Sequence, residues 1–389
     1  MDISFIINEL AEDRENYFNA IAPPIMQTSN FAFNKVDEMR SAFADEYSTF
    51  IYSRGRNPTL HILQKKLAAL DAAEDCLVFN SGAAAIFASV LANVKSGDHI
   101  VSVNKPYGWA QHMFDKILPR FGITTTYIDG RSIENFERAI LPHTKLIYLE
   151  SPNSWDFALQ DLAAVAELAK AEGIITICDN SYCTALYQQP VVLGIDLSLQ
   201  SATKYIGGHS DVVAGVLSGS AEMIHRIFSS EYLNIGSGIQ PFNAWLLLRG
   251  LRTLPMRLER ISRSTITVID YLKQQPLVEE VIFPFDPEFP QHELAKEQMR
   301  GACGLVTFVM RADTAEQIEA FCEKLKHILI AISWGGHESL IVPRCASMHR
   351  EQFDASNKEH RMLRLYVGLE EPEYIIQDLD QAFRADSNQ

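Results

Sequence analysis

The chain has 389 residues, 47% hydrophobic and 21% charged, a balance typical of a folded globular protein rather than a disordered one. It carries 34 basic and 49 acidic residues, and the resulting net charge of −15 argues against a nucleic-acid-binding surface. The length exceeds that of one small core and predicts two domains.

The cysteines indicate neither a disulfide framework nor a zinc site, because none of the six forms a C-x-x-C pair. Free buried thiols in a reducing cytoplasm are expected instead. Acidic residues in the first 16 positions disfavour a signal peptide. The uncharged stretch 76–94 is about as long as a membrane span, but Asn80-Ser81-Gly82 interrupts it and favours a strand, a turn and a helix.

The chain opens with residues 1–45, which show no strong periodicity and contain the stiff step Ala22-Pro23-Pro24, so an extended N-terminal arm is expected. Short apolar runs then alternate with helical patterns over residues 46–245. Such alternation predicts an α/β domain with a mostly parallel sheet that is buried on both faces. The predicted strands are Leu77–Phe79, Ile100–Val103, Ile123–Ile128, Leu146–Leu149, Ile174–Cys178 and Leu197–Leu199.

The pattern changes after residue 245, and residues 246–389 predict a smaller α+β domain. The predicted strands there are Val278–Phe283, Leu305–Met310 and Leu363–Val367, and the predicted helices are Met256–Lys273, Thr314–Lys326 and Glu371–Arg384.

Polar residues follow three of the predicted parallel strands, where such sheets place their ligands. Asn80-Ser81-Gly82 precedes a helix whose first amides suit a phosphate group. Asp179 follows a second strand, where it is either a site residue or a turn residue. Ser201-Ala202-Thr203-Lys204 follows a third, ahead of Gly207-Gly208. Two hydroxyls, a lysine and glycines in this order suit a site for a phosphorylated aldehyde.

At this point the sequence resembles the Cys/Met-metabolism family of pyridoxal-phosphate (PLP) enzymes, which includes cystathionine synthases and lyases. The resemblance runs over nearly the whole chain, and SATKYIGGHSD at residues 201–211 is its most specific part. Further matches are Ala22-Pro23-Pro24-Ile25, Gln27-Thr28-Ser29, Tyr52-Ser53-Arg54, Asn57-Pro58-Thr59, Asn80-Ser81-Gly82-Ala83-Ala84, Tyr107-Gly108, Glu150-Ser151-Pro152, Asp179-Asn180, Arg249–Leu254 and Leu363–Glu370. The resemblance implies the aspartate-aminotransferase-like fold (fold type I) with PLP as cofactor.

The resemblance also assigns roles to individual residues. Lys204 would hold the cofactor through its amine and then move the Cα proton of the substrate. Asp179 would face the pyridine nitrogen and keep it protonated. Tyr107 would stack on the ring, and Arg364 would bind the substrate α-carboxylate. Taken alone, Tyr107 could equally be a core aromatic residue and Arg364 a surface arginine.

The phosphate group would be bound by the amides of Gly82 and Ala83 and by the hydroxyls of Ser201 and Thr203. In this family, residues at the positions of Tyr52 and Arg54 reach the phosphate of a neighbouring subunit. The resemblance therefore implies a homotetramer, built as a dimer of dimers, with active sites shared between subunits.

Three local features favour a cystathionine β-lyase. Ser333-Trp334 resembles bacterial β-lyases, whereas most relatives have leucine after the serine. Ser154 stands where the commoner pattern has asparagine, followed by Trp155 in place of proline. Trp109 stands where methionine γ-lyases typically have cysteine. Ser333, Trp334, Ser154 and Tyr232 are accordingly candidates for substrate binding.

The predicted reaction is α,β-elimination of L-cystathionine to L-homocysteine, pyruvate and ammonia, with Tyr107 or Lys204 as proton donor. Asn57-Pro58-Thr59 points the other way, towards γ-synthases and γ-lyases. Cystathionine γ-lyase, cystathionine γ-synthase and methionine γ-lyase remain alternatives. A nicotinamide-dependent dehydrogenase would need a G-x-G-x-x-G run that the first strand lacks. A non-catalytic binding protein on the PLP fold is the last alternative. No metal is expected.

Overall fold

The computed structural model describes residues 1–386 and divides the chain into two compact units. The first unit comprises Met1–Asn153, Ala158–Gly207 and Asp211–Arg252. The second comprises Ser154–Phe157, Gly208–Ser210 and the chain from Thr253 onward. The two sequence-based domain boundaries stay a prediction.

The first unit is built on a seven-stranded sheet in the order β1-β7-β6-β5-β4-β2-β3. Its strands are β1 Asp75–Phe79, β2 His99–Val103, β3 Thr124–Ile128, β4 Thr144–Glu150, β5 Ile175–Asp179, β6 Leu197–Gln200 and β7 Gly215–Gly219. β7 runs antiparallel to both of its neighbours, β1 and β6, whereas β2 to β6 pair in parallel. The predicted, mostly parallel α/β sheet is therefore confirmed, and β7 is a strand that the sequence pattern did not indicate.

Helices cover both faces of this sheet. The helices that lie wholly in the first unit are α1 Ile3–Asn8, α2 Val36–Ala44, α3 Pro58–Leu70, α4 Gly82–Leu91, α5 Gly108–His112, α6 Ile133–Ala139, α7 Leu162–Glu172, α8 Thr184–Tyr187, α9 Ala221–Ile227 and α10 Leu233–Ile235. Successive residues of β4 enter different cores: Leu146 and Tyr148 join the core that includes α4. Ile147 and Leu149 join the core that includes α6 and α7. This alternation is why the strand reads as a continuous apolar run.

Residues 1–45 are not an extended arm throughout, because α1 and α2 lie within them. Asp2 caps α1 through its carboxylate, which accepts hydrogen bonds from the amides of Ser4 and Phe5. Ile6 and Ile7 of this helix are buried in the first unit. A six-residue helix is too short to produce a recognisable period in the sequence.

The second unit contains a five-stranded sheet in the order β10-β11-β12-β9-β8. Its strands are β8 Val278–Ile282, β9 Leu305–Met310, β10 Leu329–Ile330, β11 Leu340–Pro343 and β12 Met362–Tyr366. Its helices are α12 His292–Gln298, α13 Ala315–Lys324 and α14 Pro372–Asp386, and the chain enters the unit within α11 Pro241–Leu272. The predicted α+β character is confirmed, whereas β10 and β11 were not foreseen.

Candidate active site

The ends of β4 and β5 place two carboxylates side by side in the first unit. Glu150 and Asp179 are the last residues of these strands and pair in register. Asp179 is buried, and its carboxylate accepts a hydrogen bond of 2.9 Å from the Ser181 amide. Burial raises the pKa of Asp179, while its hydrogen bonds with Ser181 and the positive charge of Lys204 work against that rise. Asp179 and Lys204 therefore interact electrostatically within one site.

Lys204 lies in the turn that follows β6, and backbone hydrogen bonds stabilise this turn. Its amide donates to the Ser201 carbonyl at 3.1 Å, and the Ser201 amide donates to the Ser181 hydroxyl at 2.6 Å. Ser181 thus joins the loop of Asp179 to the loop of Lys204. The turn packs closely on α11, where a Cβ at Gly250 would come within 2.3 Å of the Ile206 carbonyl oxygen.

Tyr107 lies beside the two carboxylates. Its amide donates to the Glu150 carboxylate at 2.6 Å. Burial raises the pKa of the Tyr107 phenol, and the negative charges of Asp179 and Glu150 add to the rise. The phenol is therefore a proton donor at neutral pH. Tyr107 is 44% exposed, which rules out the core-aromatic interpretation.

The start of α4 forms a second part of the site. The Ser81 hydroxyl accepts from the Ala84 amide at 3.1 Å, which leaves the first-turn amides of Gly82 and Ala83 without an intrahelical acceptor. A Cβ at Gly82 would lie 3.2 Å from the Ser201 side chain, so a larger residue there would push the two loops slightly apart. Gly82, Ala83 and Ser201 are thus neighbours at a helix N-terminus, a geometry that suits an anion.

Thr203 differs from its expected role. Its hydroxyl donates to the Ala214 carbonyl at 3.2 Å and accepts from the Ala214 amide at 3.0 Å. These two bonds hold the lysine turn against the chain just before β7. To donate to a phosphate, the Thr203 hydroxyl would have to rotate away from the Ala214 carbonyl. The Ser201 hydroxyl would not need such a rotation.

Tyr52 and Arg54 line a cavity of about 290 Å³ elsewhere on the first unit. Both side chains are exposed, and the guanidinium carbon lies 5.7 Å from the centre of the tyrosine ring. The other lining residues are Gln27, Thr28, Ser29, Ser53, Gly236, Gly238 and Gln240. Their role towards a neighbouring subunit stays a prediction.

The second unit holds the candidate carboxylate-binding arginine. Arg364 projects from β12 and donates from Nη1 to the Ser154 hydroxyl at 2.6 Å and to the Ser154 carbonyl at 3.3 Å. The guanidinium carbon of Arg364 lies 5.1 Å from the centre of the Trp155 ring, and that of Arg344 lies 4.8 Å from the same ring centre. Arg364 is therefore half-buried and oriented, unlike a solvated surface arginine.

Ser333 and Trp334 lie between β10 and β11, and both are half-buried. The φ angle of Ser333 is 90°, a conformation that residues other than glycine rarely adopt. Backbone strain of this kind costs on the order of 1–3 kcal/mol and clusters at functional sites.

Tyr232 is not a pocket residue. It is fully buried in the core of the first unit, and its hydroxyl donates to the Val78 carbonyl at 3.0 Å. The Phe228 ring stacks on it and the Phe79 ring meets it edge-on. The sequence suggested a substrate contact because a tyrosine can serve either purpose, and only the packing distinguishes them.

Glu150 and Ser181 are site residues to which the sequence analysis assigned no role. Glu150 appeared only within a family motif, and its position at the end of a predicted strand was the available signal. Ser181 follows Asp179-Asn180 and had no signal of its own. Asn180 is buried and donates to the Gln188 carbonyl, a structural role.

These residues fit a PLP molecule. The buried carboxylate of Asp179 suits a cationic ring nitrogen, and the α4 amides with Ser201 suit the phosphate group. Among residues 1–386, no cluster of histidine, cysteine and carboxylate side chains could hold a metal ion, and no helix has the length and apolarity to span a bilayer. All six cysteines are free and buried, as predicted. Fold and site define an α/β enzyme dependent on PLP.

The chain belongs to the family described as Cys/Met metabolism PLP-dependent enzymes, whose model matches residues 5–384. An L-methionine γ-lyase of Treponema denticola is 38% identical over 95% of this chain and 93% of its own length. A human cystathionine γ-lyase is 36% identical over 97% and 92%. The crystal structure of metB from Corynebacterium glutamicum matches with a TM-score of 0.91 at 31% identity, covering 99% of this chain and 98% of that one.

These similarities confirm the predicted family, the fold type I architecture and the PLP cofactor, and they exclude the nicotinamide-dependent dehydrogenase. The names of the relatives support a carbon–sulfur lyase of the trans-sulfuration type. The narrower prediction of β-elimination is not confirmed, because both of these relatives are γ-lyases.

Proposed function

We propose that this protein is a PLP-dependent carbon–sulfur lyase that converts L-cystathionine and water to L-homocysteine, pyruvate and ammonia. The observation that carries the proposal is the 2.6 Å hydrogen bond from Arg364 to the Ser154 hydroxyl. The serine is shared with β-lyases, whereas the commoner family pattern has asparagine there. Trp334, which follows Ser333 as in bacterial β-lyases, supports the same subclass.

PLP, when bound, withdraws electrons from the substrate Cα and so makes its proton acidic. Lys204 would take that proton with its neutral amine and later return one. Asp179 would hold the ring nitrogen protonated. Tyr107, whose phenol is protonated at neutral pH, would give a proton to the departing thiolate as the bond between Cβ and sulfur breaks. Arg364, oriented by Ser154, would hold the α-carboxylate.

The first-turn amides of Gly82 and Ala83 would bind the cofactor phosphate together with Ser201 and, after rotation of its hydroxyl, Thr203. We further propose that Tyr52 and Arg54 complete this phosphate site in a neighbouring subunit of a cytoplasmic homotetramer. Their exposure and the open cavity beside them are consistent with an outward role.

The second candidate is γ-elimination, which converts the same substrate and water to L-cysteine, 2-oxobutyrate and ammonia. The names of the T. denticola and human relatives favour it. A γ-lyase must also remove a proton from Cβ, so its base needs access to a second carbon atom. The product therefore distinguishes the two candidates.

The test is to incubate the purified yellow holoenzyme with L-cystathionine and to separate the 2-oxo acids by chromatography. Pyruvate and homocysteine in equal amounts are expected. Predominant 2-oxobutyrate would refute the subclass and favour γ-elimination. A colourless protein that takes up no PLP, and no borohydride-fixed cofactor on the peptide of Lys204, would refute the enzyme proposal and leave a non-catalytic binding protein.

A further inference from the structure

Arg344 is a half-buried cation for which the proposed chemistry has no use. It begins the turn that follows β11, and its guanidinium carbon lies 4.8 Å from the centre of the Trp155 ring. Within residues 1–386, no carboxylate lies within 4 Å of it. Half-buried arginines are usually paired with an acid, because removing the guanidinium from water is costly. The contact with Trp155 offsets only part of that cost.

Arg344 and Arg364 share the indole of Trp155. Because both distances are measured to the same ring centre, the two guanidinium carbons lie no more than about 10 Å apart. The commoner family pattern has proline in place of Trp155, so this aromatic wall is a departure of this chain. It holds two cations at a limited separation, and Ser154 orients one of them.

We propose that Arg344 determines substrate specificity by binding a second carboxylate, at the end of the substrate remote from the bond that is broken. The inference rests on the proposed role of Arg364 as the α-carboxylate ligand. The ligand class is an amino acid with two carboxylates, of which L-cystathionine is one. Seven bonds separate its two carboxyl carbons, so they can lie up to about 9 Å apart. Because the two guanidinium carbons lie no more than about 10 Å apart, a molecule of that span can contact both groups.

The two arginines differ in what they distinguish. Every amino-acid substrate has the α-carboxylate that Arg364 would bind. Only a substrate with a remote carboxylate gains a charge-assisted hydrogen bond from Arg344. Substrates with an apolar end, such as S-methyl-L-cysteine, gain nothing there. Arg344 is therefore expected to affect the choice among substrates and not the rate of the chemical step.

The test compares the wild-type holoenzyme with Arg344→Met, which keeps an unbranched apolar stem but removes the guanidinium group and its charge. We expect kcat/KM for L-cystathionine to fall about 10- to 100-fold through KM, with kcat nearly unchanged. For a substrate with one carboxylate, kcat/KM should stay within about twofold. Arg344→Lys should restore part of the loss. Arg350 is a surface arginine of the same unit and pairs with Glu319. Arg350→Met is therefore the matched control and should change kcat/KM for neither substrate.

A measurement without turnover separates the site from the chemistry. Suberate and octanoate have the same length, and suberate has seven bonds between two carboxyl carbons. In calorimetry with the holoenzyme, suberate should bind at least about tenfold more tightly than octanoate, and Arg344→Met should remove that preference. Equal losses for both kinds of substrate, or no preference for suberate in the wild type, would overturn the inference. The identity of the 2-oxo acid tests the proposed function separately. The ratio of the kcat/KM values for the two kinds of substrate can be measured whichever 2-oxo acid is formed.

Discussion

A cluster of charged side chains around Glu12 holds the N-terminal segment against the rest of the first unit. The Glu12 side chain is inaccessible to solvent, and its carboxylate lies 3.1 Å from Lys66 Nζ, 3.0 Å from Arg252 Nη2 and 3.2 Å from Arg14 Nη2. Lys66 also donates to two carbonyl oxygens of α1, each at 2.9 Å. Burial lowers the pKa of the Lys66 ammonium, and Glu12 works against that shift. One carboxylate therefore compensates three cations.

Replacing Glu12 with glutamine should reduce the free energy of unfolding by about 3–5 kcal/mol, because the buried Lys66 ammonium then loses its counter-charge. Lys66→Met should cost less, about 1–3 kcal/mol, since the carboxylate keeps its two arginines. The Glu12→Gln and Lys66→Met changes combined should cost less than the two single changes added together, because the second change removes a cation that the first left unpaired.

The assay is urea unfolding followed by tryptophan fluorescence and circular dichroism, at fixed concentrations of protein and PLP. Glu9→Gln, at an exposed position of the same segment, is the matched control and should stay within about 0.5 kcal/mol of the wild type. A Glu12→Gln variant that unfolds within about 1 kcal/mol of the wild type would refute the reasoning, as would strictly additive losses in the double variant.

Two further predictions concern pH. Asp179→Asn should lose PLP on dialysis at every pH. In the wild type, burial raises the pKa of Asp179 and the protonated carboxyl cannot pair with the cationic ring nitrogen, so PLP loss on acidification should begin at a higher pH than an ordinary carboxylate would require. Visible absorbance measures the PLP content of both proteins, and full retention by the variant would contradict the assigned role. Burial, with the charge of Arg56 whose Nη2 lies 2.8 Å from Nδ1, lowers the pKa of His61 to about 4. Because the folded pKa of His61 lies below the unfolded value of about 6.5, the free energy of unfolding should fall as pH drops from about 6.5 to 4, by about 1–2 kcal/mol after allowance for partial exposure. His61→Gln should flatten this pH dependence in urea titrations. An unchanged pH dependence in the variant would contradict the prediction.

Much of the first unit follows from local sequence. Each of the six predicted strands overlaps its counterpart among β1 to β6. Five of these strands are buried at most positions and are therefore largely apolar, whereas the edge strand β3 is partly exposed. Asp161 caps α7 by accepting a hydrogen bond from the Ala164 amide at 3.0 Å, which is a local interaction typical of aspartate before a helix. The polar residues after the strands meet because parallel strands end at the same edge. The order of residues along the chain is therefore enough to assign Lys204 and Asp179 to one site.

The tertiary structure decided what depends on contacts between distant residues. β7 could not be foreseen because Gly215 belongs there for a close approach, where a Cβ would lie 2.3 Å from the Ser81 carbonyl oxygen. The Arg344 contact with Trp155 joins residues far apart in the chain, and no local pattern encodes it. Burial assigned Tyr232 to the core. Periodicity and capping act over a few residues, whereas these contacts exist only once the whole chain has packed.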